Sequence, residues 1–159
     1  MTLKYKGLNF ITCFLILLGT TLYAQERRKI EIKYAPFMTF DESKPDATIL
    51  TRDNTKQVHI KHEGIEMWCD EAVYDAKQDF IEAYGKVRIK QGDTINMNSN
   101  YVEYSGKTQL AFASGAVVLK DPTSVITTDT LYFDRLKQEA FYQSKGKVVR
   151  DTTGTITST

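Results

Sequence analysis

Cysteine is almost absent from this chain, which has only Cys13 and Cys69 among its 159 residues. Cys13 lies in an N-terminal segment that we predict is removed, so one cysteine would remain and no intrachain disulfide could form. The fold must therefore be stabilised by its secondary structure and core. Because Cys69 lies in a strand-like stretch, we expect a buried apolar side chain there rather than a reactive thiol.

Long hydrophobic runs are also missing. The one apolar run, residues 8–18, is short for a membrane span, which needs about 20 residues. Lys4 and Lys6 precede this run, and Leu22-Tyr23-Ala24 follows it. This arrangement predicts a secretory signal over residues 1–24, cleaved after Ala24, with an uncleaved membrane anchor as the alternative. Residues 25–159 would then form one exported domain with a core of its own.

No strong excess of charge of either sign is present. Removing Lys4 and Lys6 lowers the number of basic residues from 21 to 19, against 20 acidic residues. The lysines and arginines are scattered along the chain rather than clustered. This balance gives no general attraction to nucleic acid, which we exclude as a partner.

Catalytic, cofactor and metal motifs are missing as well, so we expect no enzyme and no cofactor. His59 and His62 would point to opposite faces of a strand, which argues against a shared metal ion and favours solvated or edge histidines. Asp70 and Asp129 occupy matched positions, as a pair of catalytic carboxylates would. We favour a repeated backbone cap for them, with Asn100 at the equivalent place.

What the chain does contain is a repeat. A Gly-x-Val triplet recurs at steps of 30 and 31 residues, and each copy follows a similar tyrosine-containing phrase, at residues 69–75, 99–105 and 128–134. The triplets are Gly85-Lys86-Val87, Gly115-Ala116-Val117 and Gly146-Lys147-Val148. Each unit is a supersecondary element that cannot bury its apolar face alone, so neighbouring units must stack.

Each repeat predicts two strands of about ten residues joined by short turns. The return strand, which carries the triplet, has small and apolar residues on one face: Ile81, Ala83, Gly85, Val87 and Ile89, then Ala113, Gly115, Val117 and Leu119, then Val148. We place the glycines on this interior face. The third repeat has one more residue before its triplet than the other two repeats, so we expect a β-bulge within residues 143–145.

We call the first strand of each repeat, which precedes the return strand, the outgoing strand. Its apolar residues change from one face of the strand to the other partway along. Met67, Met97 and Ile126 lie on one face early in these strands, whereas the later apolar residues lie on the other. A bulge or corner near Asp70 and Asn100 would explain the change. Before the repeats, we predict one strand over residues 29–34, a loop, and a weaker strand over 47–51.

Two interpretations of the small apolar face remain open. It could be tight sheet-on-sheet packing in a structural or adhesive repeat protein, of which a parallel β-helix is the extreme form. It could instead leave space for lipid chains. Gly154 to Thr159 resembles the start of a further repeat, so the chain is either a fragment or ends in an open edge strand.

The repeated triplets, with the Asp-x-x-x-Tyr-Asp phrases over residues 67–75 and 127–134, resemble the OstA-like or LptA-like periplasmic proteins of lipopolysaccharide transport. This family includes the organic solvent tolerance protein-like N-terminal domain. The resemblance covers about residues 28–159. It departs from the family pattern at Lys56, which stands where relatives have a glycine before Val58.

The resemblance implies an antiparallel β-jellyroll, shaped as an open V of two sheets and incomplete at the C-terminus. It implies a periplasmic protein, associated with the outer membrane, that holds the acyl chains of lipid A between its sheets. Copies of the chain, or other transport components, would join edge to edge. Combined with strand parity, it nominates these lining residues: Ile81, Ala83, Val87, Ile89, Ala113, Val117, Leu119 and Val148, with Met67, Met97 and Ile126 on the opposite wall.

Overall fold

The computed structural model describes residues 28–150 except 41, 43 and 144, together with the backbone of residues 154–158. The predicted secretory signal over residues 1–24 lies outside this part. The described chain forms thirteen strands: β1 Glu31–Tyr34, β2 Phe37–Phe40, β3 Ala47–Thr51, β4 Val58–His62, β5 Ile65–Cys69, β6 Glu71–Asp75, β7 Phe80–Gln91, β8 Ile95–Ser105, β9 Leu110–Lys120, β10 Ser124–Asp134, β11 Glu139–Phe141, β12 Gly146–Arg150 and β13 Gly154–Ser158.

All strand pairs in the described chain are antiparallel, which confirms the all-β prediction and is incompatible with a parallel β-helix. Four long strands, β7 to β10, form the centre of a single connected sheet. β5 and β6 both pair with β7, at its two ends. The sheet therefore divides into two halves that share their central strands.

We call these the first and second sheet halves. The first contains β2, β3, β6, residues 80–84, 101–105, 110–114 and 130–134 of the long strands, and β11. The second contains β1, β4, β5, residues 87–91, 95–99, 117–120 and 124–128, and β12 and β13. The line along which the halves meet is called the corner, and the opposite, turn-bearing end is called the mouth.

The corner is built from irregularities in register at matched repeat positions. On β7, Gly85 and Lys86 lie opposite the single residue Asn100 of β8, and the pairing resumes beyond them. Gly85 and Lys86 have φ angles of +73° and +45°. A Cβ atom on Gly85 would lie 2.9 Å from Oδ2 of Asp70, so both the backbone conformation and the close approach require glycine here.

The second copy repeats this geometry. Gly115 and Ala116 have φ angles of +76° and +53°, and a Cβ on Gly115 would lie 3.0 Å from Asn100. The prediction that Gly85 and Gly115 belong to the interior face is wrong, since both are half-buried at the bend. They turn the sheet rather than line its inside.

The two halves fold their inner faces onto one hydrophobic core. Leu50 and Ala72 of the first half and Val58 and Met67 of the second belong to the same buried cluster. The described part of the chain contains no helix long and apolar enough to cross a membrane. The antiparallel jellyroll with an open sheet, which the family resemblance implied, is confirmed.

Differences from the predicted strands are local. Residues 37–40 were expected to belong to a loop, but they form β2, whose four residues are all exposed and therefore lack the alternation of a half-buried strand. In the third copy, β10 pairs with two separate strands, with β11 up to Phe141 and with β12 from Gly146. The bulge predicted within residues 143–145 falls between these strands, and residue 144 lies outside the described residues.

Candidate functional site

An apolar ladder crosses the inner face of the second sheet half. Directly paired residues on successive strands place one side chain per strand in the row. From β4 to β12 the row reads Ile60, Met67, Ile89, Met97, Leu119, Ile126 and Val148. All of these residues except Ile60 were nominated from the sequence, so six of the eleven nominated residues lie in a single row. Strand parity shows which face a residue is on, but the row depends on the register between strands.

The arrangement corrects one detail of the prediction. Met67, Met97 and Ile126 were expected opposite the other lining residues, but they stand in the same row as Ile89 and Leu119. The discrepancy arises because the inward-facing positions of an outgoing strand change at the corner. In the part of the strand before the corner, the face that carries Met67, Met97 and Ile126 is the interior face.

The opposing wall comes from the first sheet half. Tyr104, Ala111 and Phe133 face Met97 and Leu119 across a closed apolar cavity of about 30 Å³ near the mouth. A cavity of this size holds no more than about two water molecules, so the interior in this conformation has no room for an acyl chain. A bound chain would require the two walls to separate.

The other five nominated residues also fill the interior: Ala83, Val87, Ala113 and Val117 lie at the corner, whereas Ile81 pairs with Tyr104 toward the mouth. Ile81, Ala83, Val87, Ala113 and Val117 are at most 1% exposed and belong to the core cluster. Alanine at positions 83 and 113 lets the two sheet halves approach closely. The four corner residues therefore form the packed base of the V, whereas the ladder lines its wider part.

The mouth is bridged by polar contacts that strand patterns did not reveal. His62, which is 3% exposed, lies within 2.7 Å of the Tyr104 hydroxyl through Nδ1 and 2.8 Å of the Arg28 carbonyl through Nε2. One tautomer satisfies both contacts: Nε2–H donates to the carbonyl, and the tyrosine hydroxyl donates to Nδ1. His62 thus links the N-terminal segment and the second sheet half to the first.

Nearby contacts extend this bridge. The Ile30 amide donates to Oδ1 of Asp79 at 3.0 Å, which ties the N-terminal segment to the turn after β6. Arg135, in the turn after β10, donates to Oε2 of Glu63 at 3.2 Å and also to the Glu63 carbonyl. Gln109 donates to the same carboxylate at 2.8 Å. We call the contacts of His62, Glu63 and Ile30 the mouth clasp.

Two titratable groups of the clasp are perturbed. Burial is the largest influence on Glu63 and opposes ionisation, but hydrogen bonds from Arg135 and Gln109 and nearby positive charge outweigh it and hold its pKa below the usual range. Burial raises the pKa of Tyr104 to about 12. At neutral pH the tyrosine is therefore a hydrogen-bond donor, as its contact with His62 requires.

The histidines and Cys69 occupy structural positions. His59 stacks on Trp68 on the outer face, with 4.8 Å between ring centres, while His62 points inward, so their predicted opposite orientation is confirmed. The expectation of solvated histidines is wrong for His62. Cys69 is fully buried, and burial raises the pKa of its thiol to about 12, so the thiolate is not formed at neutral pH.

At Asp70 the contacts of the corner differ from the predicted backbone cap. The Asp70 carboxylate accepts from Arg52 Nε at 3.1 Å and Gln57 Nε2 at 3.2 Å, rather than from the local backbone. The hydroxyls of Ser99 and Thr128 donate instead to carbonyls two residues further on, at 3.2 Å. Their recurrence directly before Asn100 and Asp129 was a signal that could have identified them.

A family model described as OstA-like protein matches residues 27–159 of this chain. The chain belongs to the OstA-like family. This match confirms the resemblance inferred from the Gly-x-Val repeats and covers all the described strands. Among curated proteins, no sequence matches this OstA-like chain.

A solved structure supports the fold independently. The OstA-like chain resembles LptH, described as the LptA-homologous periplasmic component of the lipopolysaccharide transport device of Pseudomonas aeruginosa, with a TM-score of 0.62 and 9% sequence identity. The match covers 74% of this chain and 83% of LptH. At this identity the similarity concerns the fold, which is the same type of jellyroll.

Proposed function

We propose that this OstA-like protein is a periplasmic module of a lipopolysaccharide transport bridge and holds acyl chains between its two sheet halves. The observation that carries the proposal is the apolar ladder of the second half, which is continuous from β4 to β12. Family membership and the similarity to a periplasmic transport component support the same assignment.

Lipid entry at the mouth is part of the proposal. The corner is densely packed, whereas the cavity beside Met97 and Leu119 lies toward the mouth and is bounded entirely by apolar surface. Separation of the walls there would expose the ladder to an acyl chain. Transfer of a chain from water to this surface is favourable by roughly 0.8 kcal/mol per buried CH₂ group.

Edge-to-edge assembly would extend the ladder between molecules. β2 is an edge strand whose large side chains are exposed, with Phe40 at 77% and Phe37 at 57%. An exposed apolar edge is a template for another strand. We propose that copies of this chain, or other transport components, pair with the open edges.

A second candidate function is a structural or adhesive repeat protein with a dry core. The closed interior, with its cavity of about 30 Å³, favours it. Both candidates use the same apolar burial for stability, so denaturation experiments do not separate them.

Site-specific photocrosslinking separates the two candidates. A benzoylphenylalanine residue replaces Met97, which lines the cavity, and in a control protein it replaces Asn98, the next residue, on the outer face of the same strand. We expect lipopolysaccharide to crosslink at position 97 and much less at position 98. Equal crosslinking at both positions, or none at position 97 in a folded protein, would support the dry-core candidate.

A further inference from the structure

A polar depression of about 510 Å³ lies on the outer side of the corner, away from the apolar interior. Arg88 and Asn98 reach it from paired positions on β7 and β8, and their side chains alternate with buried Val87 and Met97. Most of the lining side chains are hydrogen-bond donors: Arg52, Gln57, Lys86, Arg88, Asn98 and Asn100.

The depression carries net positive charge. Its single lining acid, Asp70, already accepts from Arg52 and Gln57. Within the described part of the chain, Lys86 and Arg88 form no ion pair. Two cations therefore face the depression without a carboxylate to neutralise them.

Arg88 is held in place by an aromatic ring. Its guanidinium carbon lies 4.8 Å from the centre of the Trp68 ring, whose other neighbour in the row is the stacked His59. A guanidinium stacked in this way keeps its N–H groups free to donate in its own plane. The stacking reduces the entropy lost when Arg88 binds an anion.

The corner of the next repeat shows that these charges are not needed to build the fold. Ala116 occupies the position of Lys86, with nearly the same φ angle, +53° against +45°. Val118 pairs with Asn98 from one side as Arg88 does from the other. The same bend thus forms with alanine and valine, and the cations of the first copy are an addition to it.

A second depression, of about 450 Å³, adjoins the first and shares Gln57 and Arg88 with it. Tyr34, Lys56 and the edge of Trp68 line this extension. Together the two depressions are much larger than a phosphate ion. Their lining suits a polar group attached to the anion rather than an acyl chain.

We propose that this outer surface binds a phosphorylated saccharide, with the phosphate between Lys86 and Arg88 and the sugar toward Trp68. Arginine binds phosphate through parallel N–H donors, and lysine adds a compact charge. The site is separate from the interior and does not depend on acyl-chain binding. A probe without acyl chains therefore tests it independently of the proposed transport function.

Trp68 is the one tryptophan of the chain, so its fluorescence reports on the site directly. We expect saturable changes on titration with glucosamine 1-phosphate, together with shifts of the amide resonances of residues 86–88. Lys86→Ala and Arg88→Val, which introduce the residue types of the next repeat, should each weaken binding about tenfold or more, since charged hydrogen bonds are lost. For Arg88→Val the affinity is taken from the amide shifts, because this substitution removes the guanidinium that stacks on Trp68 and so changes the fluorescence itself.

Lys90→Ala is the matched control, because Lys90 is an exposed lysine two residues from Arg88 on the same face of β7 and outside the depression. It removes the same net charge and should change the affinity less than twofold. A wild-type protein without saturable binding would overturn the proposal. An equal loss in Lys90→Ala would do the same, because it would indicate general charge attraction.

Two further probes distinguish the source of the phosphate. Tenfold weaker binding of inorganic phosphate than of glucosamine 1-phosphate supports a saccharide site. Equal affinities would overturn the saccharide part of the proposal and leave a simple phosphate site. Binding to phosphatidylglycerol vesicles without binding of either soluble probe would overturn the site and indicate a membrane-surface contact.

Discussion

The corner and the mouth of this jellyroll are stabilised in different ways. At the corner, Ala83, Val87, Ala113 and Val117 are packed with almost no exposure, and matched bulges recur from repeat to repeat. At the mouth, a small apolar cavity is closed by the hydrogen bonds of His62 and neighbouring residues. The corner therefore fixes the angle between the sheet halves, and in the proposed function the halves would part at the mouth.

The same comparison bears on function. A packed corner gives a constant base, and substitutions there affect stability before they affect binding. The clasp consists of a few directional contacts between turns and the N-terminal segment. Breaking it costs a few hydrogen bonds, each worth about 1 kcal/mol net, in addition to the apolar surface of the ladder that becomes exposed. Lipid entry, as proposed, would exchange these contacts for burial of acyl chains against the ladder.

Truncation of a leucine in each region should give the largest difference between them. Leu131, near the corner, is 1% exposed, whereas Leu119 borders the existing cavity near the mouth. We expect Leu131→Ala to lower the free energy of unfolding by about 3–5 kcal/mol and Leu119→Ala by about 2–3 kcal/mol. Chemical denaturation measures both values. A larger loss for Leu119→Ala would contradict the assignment of the corner as the denser region.

Glycine substitution tests why the corner requires its backbone. Gly85→Ala should cost about 2–3 kcal/mol, because the positive φ angle disfavours alanine and the new Cβ meets Asp70. Gly92→Ala is the control: φ is also positive, at +57°, but nothing lies within 4 Å of the added atom. We expect about 1 kcal/mol there. Equal costs in denaturation experiments would remove close approach from the explanation.

The contrast between strands explains which parts of the corner could be predicted. One residue of β8, Asn100, has no direct partner at the corner. The inward-facing side chains therefore change from odd to even positions there, as Met97 and Val102 show in the sequence. Two residues of β7, Gly85 and Lys86, have no direct partner, so inward-facing side chains stay at odd positions, and Ala83 and Val87 look like parts of one regular strand. The bend in the return strands was therefore invisible to strand periodicity.

The mouth was less predictable for another reason. The hydrophobic pattern identifies which side chains face inward, and it found the ladder residues Met67, Met97 and Leu119. The clasp depends on contacts between residues far apart in the chain, such as His62 with Tyr104 and Glu63 with Arg135. No local pattern encodes these pairs. The exposed strand β2 was missed because neither of its faces is buried.

Removing one hydrogen bond of the clasp should have a smaller effect than the core substitutions. Tyr104→Phe leaves the buried Nδ1 of His62 without its donor, and we expect a loss of about 1–2 kcal/mol. The Ile30 amide, bonded to Asp79, should also exchange with solvent faster. Tyr101→Phe is the control, since its hydroxyl bonds Glu103 on the outer face, and its Ile30 exchange rate should equal that of the wild type. Unchanged exchange in Tyr104→Phe would mean that His62 does not restrain the mouth.

The smallest expected effect concerns acid and the Glu63 carboxylate. Because the folded protein lowers the pKa of Glu63, its contribution to stability is present above the ordinary value near 4.5 and is lost as the pH falls through the folded value. Glu63→Gln should therefore reduce stability at pH 7 by less than about 1 kcal/mol and flatten its decline below pH 4.5. Urea denaturation between about pH 3 and pH 7 gives both profiles.

A double-mutant cycle tests the partner of this carboxylate. When Glu63→Gln is combined with Arg135→Gln, the coupling free energy between the two residues should be present near neutral pH and absent in acid. No coupling at neutral pH would show that Arg135 acts through the Glu63 carbonyl alone, and the mouth would then keep this contact when the carboxylate is protonated.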